Sequence, residues 1–247
     1  MTADAKSKAL EDFVERLLRS PAGDQVASLV LFGSVADGEY DRQSDIDVLV
    51  FGTGHLKELS QACAEASFQT ALEWGESVEP LVYCQDDKRF PSSYFLHKAL
   101  QQGKEIFRMD EELLRRREAE SALGLAREYI QSAHNAAQNG FYRLAIDAAY
   151  NSAELCVKGL LLLRTGELPR SHGGLVQAFG KHYVIAGLAP AELGRRLNQH
   201  LELRNKARYD FHARLDAQDA AEALALAEEL VGLLEDQWRE AMSKEEV

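Results

Sequence analysis

Leu10, Phe13, Val14, Leu17 and Leu18 recur at helical spacing and stop at Ser20-Pro21, which predicts an amphipathic first helix. The apolar pattern then changes. Val26 to Phe32 is an unbroken apolar run of strand length, the pattern of a buried strand. From 45 to 51, Ile46, Val48 and Val50 alternate with Asp45, Asp47 and Leu49, so a strand there points both carboxylates to one face. A third strand is expected near 78–83, with a helix over 55–74 before it and another from Ser92 to Gln102 after it. Beyond residue 108 the strand-like runs cease. The spacing stays helical almost to the end, broken at Asn139-Gly140, from Gly166 to Pro169, at Gly187 and at Asp210. The pattern predicts an α+β protein, with a mixed α/β domain over 1–107 and an all-α antiparallel helical bundle over 108–247. The charged run Asp110 to Glu120 reads as a solvated helix face. Tyr142, Ala145, Ile146, Ala149 and Tyr150 follow helical spacing and read as core.

Composition narrows the setting. A chain of 247 residues can bury a good core, and its net charge of −12 argues against generic nucleic-acid binding, because a surface that neutralises phosphates is basic. Cys63, Cys84 and Cys156 are scattered, odd in number and without metal-type spacing, which fits buried thiols in a reducing cytoplasm. The first residues lack the apolar core of a signal peptide. The longest apolar stretch, Leu155 to Leu163, is interrupted by Lys158 and Gly159, so no membrane segment is expected.

Candidate chemistry is concentrated between the first two strands. Gly33-Ser34 follows the first apolar run and offers a tight turn whose backbone N–H groups can meet phosphate oxygens. Ten residues on, Ser44-Asp45-Ile46-Asp47 opens the second strand. Two carboxylates on one strand face suit Mg²⁺, a hard cation that prefers oxygen ligands and bridges carboxylates to phosphates. At these residues, over roughly 25–105, the chain resembles the minimal nucleotidyltransferases of the polymerase-beta-like superfamily, whose pattern is Gly-Ser, a spacer and Asp-x-Asp. The resemblance implies transfer of a nucleoside monophosphate from a triphosphate to a hydroxyl, with ATP as substrate and Mg²⁺ held by three carboxylates. Carried onto this chain, Gly33 and Ser34 contact phosphate and Asp45 and Asp47 bind metal. Glu79 is the candidate third carboxylate, with Glu76, Asp86 and Asp87 nearby as rivals.

Ser171 to Val184, followed by Leu203-Arg204-Asn205-Lys206-Ala207-Arg208-Tyr209-Asp210-Phe211-His212, resembles the HEPN family of helical domains, over roughly 110–243. The resemblance implies a homodimer, and a pairing in which the transferase half adenylylates an RNase-like half, as in toxin–antitoxin systems. It also brings RNA into consideration as a partner, through an Arg followed at four to six residues by a His. Here Arg204 is the motif-like arginine, Tyr209 a conceivable acceptor, and His212 stands one position too late. Arg195 with His200, and Arg127 with His134, satisfy similar spacings and read as decoys, while His172 and His182 read as structural. The reading expected from all this is a cytoplasmic, Mg-dependent nucleotidyltransferase that modifies a protein hydroxyl, most simply a tyrosine. A small-molecule acceptor of the aminoglycoside kind, a HEPN ribonuclease, and a noncatalytic nucleotide-binding protein are the alternatives.

Overall fold

A computed structural model describes residues 2–243 and divides the chain into two compact units, the first ending at Leu114 and the second beginning at Arg115. The first unit runs α1 (Thr2–Arg19), β1 (Val26–Phe32), α2 (Gly33–Asp37), β2 (Ile46–Gly52), α3 (Leu56–Trp74), β3 (Val78–Cys84), α4 (Gln85–Arg89), α5 (Tyr94–Gln102) and β4 (Lys104–Arg108). Its four strands form one mixed sheet in the order β3-β2-β1-β4. The β1 strand is antiparallel to both β2 and β4, and β2 is parallel to β3.

Central β1 and β2 are covered on both faces, which explains their dense apolar sequences. On one face Leu29, Leu31, Ile46, Val48 and Val50 pack with Phe13 and Leu17 of α1 and Leu59 and Cys63 of α3. On the other, Val30, Leu49 and Phe51 pack with Leu96 and Ala99 of α5. Burial pushes the Cys63 thiol up to about 12, so it behaves as an apolar group. β3 lies at the sheet edge, where Pro80, lacking an N–H, is tolerated. The strand absent from the sequence-based expectation is β4, another edge, whose five residues carry apolar side chains only at Ile106 and Phe107.

The second unit is helical: α6 (Glu111–Gln138, which begins before the division), α7 (Tyr142–Thr165), α8 (His172–Phe179), α9 (Ala191–Tyr209) and α10 (Ala217–Ser243), with a π-helical turn at Gly180–Val184. α7 is its axis, burying Ala145, Ile146, Ala149, Ala153, Cys156 and Leu160 completely. Gly159 lets α10 come close, since a Cβ there would meet Leu234 Cδ2 at 2.8 Å. Cross-pairs Arg127–Glu235 and His134–Glu228 run in opposite sequence directions, so α6 and α10 are antiparallel. In the π-helical turn, Tyr183 donates its hydroxyl to the carbonyl of Leu160 at 2.7 Å. The run from Asp110 to Glu120 is not wholly solvated, because Arg116 and Ala119 turn into the unit and are buried.

Candidate functional site

Strand registry assembles the first site. β1 ends at Phe32, whose partner on β2 is Asp47, and Asp47 in turn stands directly opposite Glu79 on parallel β3. Asp45 lies just ahead of β2, two residues from Asp47 and of the same strand parity. Gly33 then turns the chain out of β1 with φ +73° and starts α2, which no side chain caps. A positive φ favours glycine. Space adds to this: a Cβ at Gly33 would fall inside 3.0 Å of Asp47 Oδ2, so that carboxylate would have to move. The structure thus brings Gly33, Ser34, Asp45, Asp47 and Glu79 to one end of the sheet, on the face shared by Leu49 and Phe51. Phe32 and Phe95 meet edge to face, centroids 5.6 Å apart, and form an apolar wall beside it.

Like charge marks this end. Burial first, then the charges of Glu79 and Asp45, push the Asp47 carboxyl above the usual carboxylate range. A cation placed among these oxygens relieves the repulsion, and an all-carboxylate donor set suits Mg²⁺. Among the described residues, no group of three His, Cys, Asp or Glu is drawn together as a ready metal site. For the three carboxylates to share one ion they would have to swing inwards. The rival acids are engaged elsewhere: Glu76 accepts from Lys6 Nζ at 2.5 Å, Asp86 pairs with Arg89 at 2.6 Å, and Asp87 Oδ2 accepts from Cys84 Sγ at 2.9 Å.

A second polar cluster lies between α7 and α9. Arg204 is 5% exposed, with Nε 3.3 Å from Asp147 Oδ1 and Nη1 donating to Asn205 Oδ1 at 3.2 Å. Arg208 grips both oxygens of the same carboxylate, Nε to Oδ1 at 2.6 Å and Nη2 to Oδ2 at 3.1 Å. Arg143 donates to the carbonyls of Lys206, Ala207 and Ala213 at 3.2, 3.0 and 2.7 Å, closing the C-terminal end of α9 and holding the segment beyond it. Tyr209, the last residue of α9, is 71% exposed. His212 lies past the helix end, exposed, its ring 4.3 Å from that of Phe211. So the structure does not set Arg204 and Tyr209 on one helix face; five residues apart, they are rotated by about 140°. The sequence-level decoys have structural partners: Arg195 pairs with Glu192 at 2.8 Å, His134 with Glu228 at 2.9 Å, and Arg127 with Glu235 at 2.7 Å. His200 is buried, with Nδ1 at 2.8 Å from the Arg196 carbonyl. His172 is hydrogen-bonded to Glu154.

Sequence reasoning missed Lys6, Asp147 and Arg143. Each sits in a stretch that reads as ordinary helix surface, and only packing reveals its partners.

Comparison with known proteins agrees with this architecture. Residues 7–120 match the model of the nucleotidyltransferase domain, and residues 119–237 match that of the HEPN domain. A Methanocaldococcus jannaschii protein named "Putative toxin MJ0142" is 30% identical over 110 residues, 44% of this chain and 74% of that protein. "Putative protein adenylyltransferase MJ0604", from the same organism, is 25% identical over 103 residues, 41% of this chain and 98% of that protein. Among solved structures, a spectinomycin adenyltransferase AAD(9) from Enterococcus faecialis, with ATP and spectinomycin, aligns over 93% of this chain and 99% of that one. Its identity is 16% and its TM-score 0.30. The fold and matched domains define a nucleotidyltransferase enzyme. The chain belongs to the family in which a minimal nucleotidyltransferase domain is joined to a HEPN domain.

Proposed function

We propose that this chain transfers AMP from ATP to a hydroxyl of a protein, a tyrosine in the first instance, as a fused transferase–HEPN protein of toxin–antitoxin type working in the cytoplasm as a homodimer. The observation that carries the reading is the parallel register seating Asp47 opposite Glu79, beside the Gly33 turn. In this reading Asp45, Asp47 and Glu79 hold Mg²⁺, and the backbone N–H groups at Gly33 and Ser34 receive the triphosphate. Bound there, the metal supplies charge neutralisation for the phosphates and acidifies the incoming hydroxyl. The chain's own part is positioning: two adjacent strands fix the carboxylates, the turn orients the phosphates, and the wall of Phe32 and Phe95 keeps water from one side.

A protein acceptor is favoured by the relative named for protein adenylylation. Tyr209 is the first candidate, because its side chain is 71% exposed. A ribonuclease reading asks for an arginine open to phosphate, whereas Arg204 is buried against Asp147. The test is incubation of purified chain with Mg²⁺ and ATP labelled on its α-phosphate, read by intact mass and peptide mapping. Addition of AMP units to wild type, their loss in Asp47→Asn, and a label that leaves the Tyr209 peptide in Tyr209→Phe are expected. Absence of any metal-dependent label refutes self-modification.

A further inference from the structure

A lysine on α1 lies behind the carboxylate end of the sheet. Lys6 is 2% exposed, and its Nζ donates to the carbonyl of Ser44 at 2.6 Å and to Glu76 Oε2 at 2.5 Å. Those two acceptors belong to different segments. Ser44 immediately precedes Asp45, and Glu76 stands three residues before Glu79, on the approach to β3. Between them, the Ile46 amide donates to the Ser77 carbonyl at 2.9 Å, the first rung joining β2 to β3.

Burying an ammonium carries a desolvation penalty, and apolar replacement of a buried ion pair is often neutral or stabilising. Stability alone is therefore a poor reason for a lysine here. Geometry is a better one. Asp45 lies outside the ladder and has no strand pairing of its own, while the turn before it is held only locally: Asp41 Oδ1 accepts from the Gln43 amide at 2.8 Å and from Ser44 Oγ at 3.2 Å. The Lys6 contact adds a side-chain tie between this turn and the segment leading into β3, just outside the Ile46–Ser77 rung.

We infer that Lys6 is a positioning residue that holds the Asp45 and Glu79 segments side by side, so that their carboxylates can swing onto one divalent cation, with Glu76 serving as its counter-ion. The inference rests on the functional reading above and adds a residue that touches neither nucleotide nor metal. It also explains why Glu76 is withdrawn from the set of candidate ligands: its carboxylate completes the clamp.

The test uses the full chain, with Lys6→Met/Glu76→Gln removing both charges together so that no buried ion is left unpaired, and Lys6→Arg as the conservative variant. Mn²⁺ alone is titrated by electron paramagnetic resonance, and hydrogen exchange is followed at the Ile46 amide. The double variant is expected to melt close to wild type, to bind Mn²⁺ about tenfold more weakly, in the range for residues that orient ligands, and to exchange Ile46 faster. Lys6→Arg is expected to recover most of the affinity. A folded double variant with wild-type Mn²⁺ affinity and Ile46 protection overturns the clamp while leaving the transferase reading intact. Wild type that binds Mn²⁺ no better than Asp47→Asn overturns both.

Discussion

Replacing Gly33 by alanine tests the contact on which the candidate site turns. Gly33 and Gly38 both adopt left-handed backbone, with φ of +73° and +78°. That conformation costs an alanine roughly 1–2 kcal/mol, offset in part by a stiffer unfolded chain. At Gly38 the added methyl meets nothing within 4 Å, whereas at Gly33 it falls inside 3.0 Å of Asp47 Oδ2 and within 3.3 Å of its Cγ. Gly38→Ala therefore reports backbone strain alone. Gly33→Ala adds displacement of a carboxylate held between β1 and β3. A shift of about 1 Å in a catalytic group costs about a hundredfold in rate, or ~2.7 kcal/mol of barrier. The expectation is that both variants melt a few degrees below wild type. Only Gly33→Ala is expected to lose transfer, by about two orders of magnitude. The assay is AMP incorporation at saturating Mg²⁺ and ATP, beside thermal melts of the three proteins. Activity of Gly33→Ala within about threefold of wild type, or an equal loss in Gly38→Ala, would refute the reasoning.

Two further outcomes follow from electrostatics. Because the folded pKa of Asp47 is raised from its ordinary value of 3.8 by burial and by Glu79 and Asp45, its contribution to stability is present below about pH 4 and is lost as pH rises through the raised value. Asp47→Asn should then stabilise the metal-free protein at neutral pH while abolishing transfer, which melts with and without Mg²⁺ and the AMP assay will show. The gain is modest, roughly 0.5–1 kcal/mol, because water screens a carboxylate that is only partly buried. In the helical unit, Asp147→Leu leaves buried Arg204 without its counter-charge. The unit should lose about 2–3 kcal/mol by denaturant titration, less than for a fully buried pair because water still reaches Asp147.

Much was legible in the sequence wherever a local rule sufficed. β1 and β2 announced themselves by apolar runs, the helices of the second unit by their spacing and by glycine stops at Gly140 and Gly166, and Gly33-Ser34 with Asp45 and Asp47 by a motif confined to fifteen residues. β4 escaped because an edge strand of five residues, covered on little of its surface, needs little apolar patterning. The buried side of the run from Asp110 to Glu120 escaped for a related reason: Arg116 is charged, and charge reads as solvent until packing covers it.

Tertiary structure shows which acid stands with Asp47. In the sequence Glu79 is the candidate only through the family resemblance, with Glu76, Asp86 and Asp87 as rivals a few residues away. The one-to-one register of parallel β2 and β3 puts Glu79 opposite Asp47 and leaves the others to Lys6, Arg89 and Cys84. Likewise, the sequence marks Arg204 and Tyr209 as neighbours in a motif, while the turn of α9 and the carboxylate of Asp147 bury the first and leave the second at the surface. Periodicity records which face of an element is covered, because that depends on residues a few positions apart. Pairing between distant segments depends on strand order and helix packing, which no local spacing encodes.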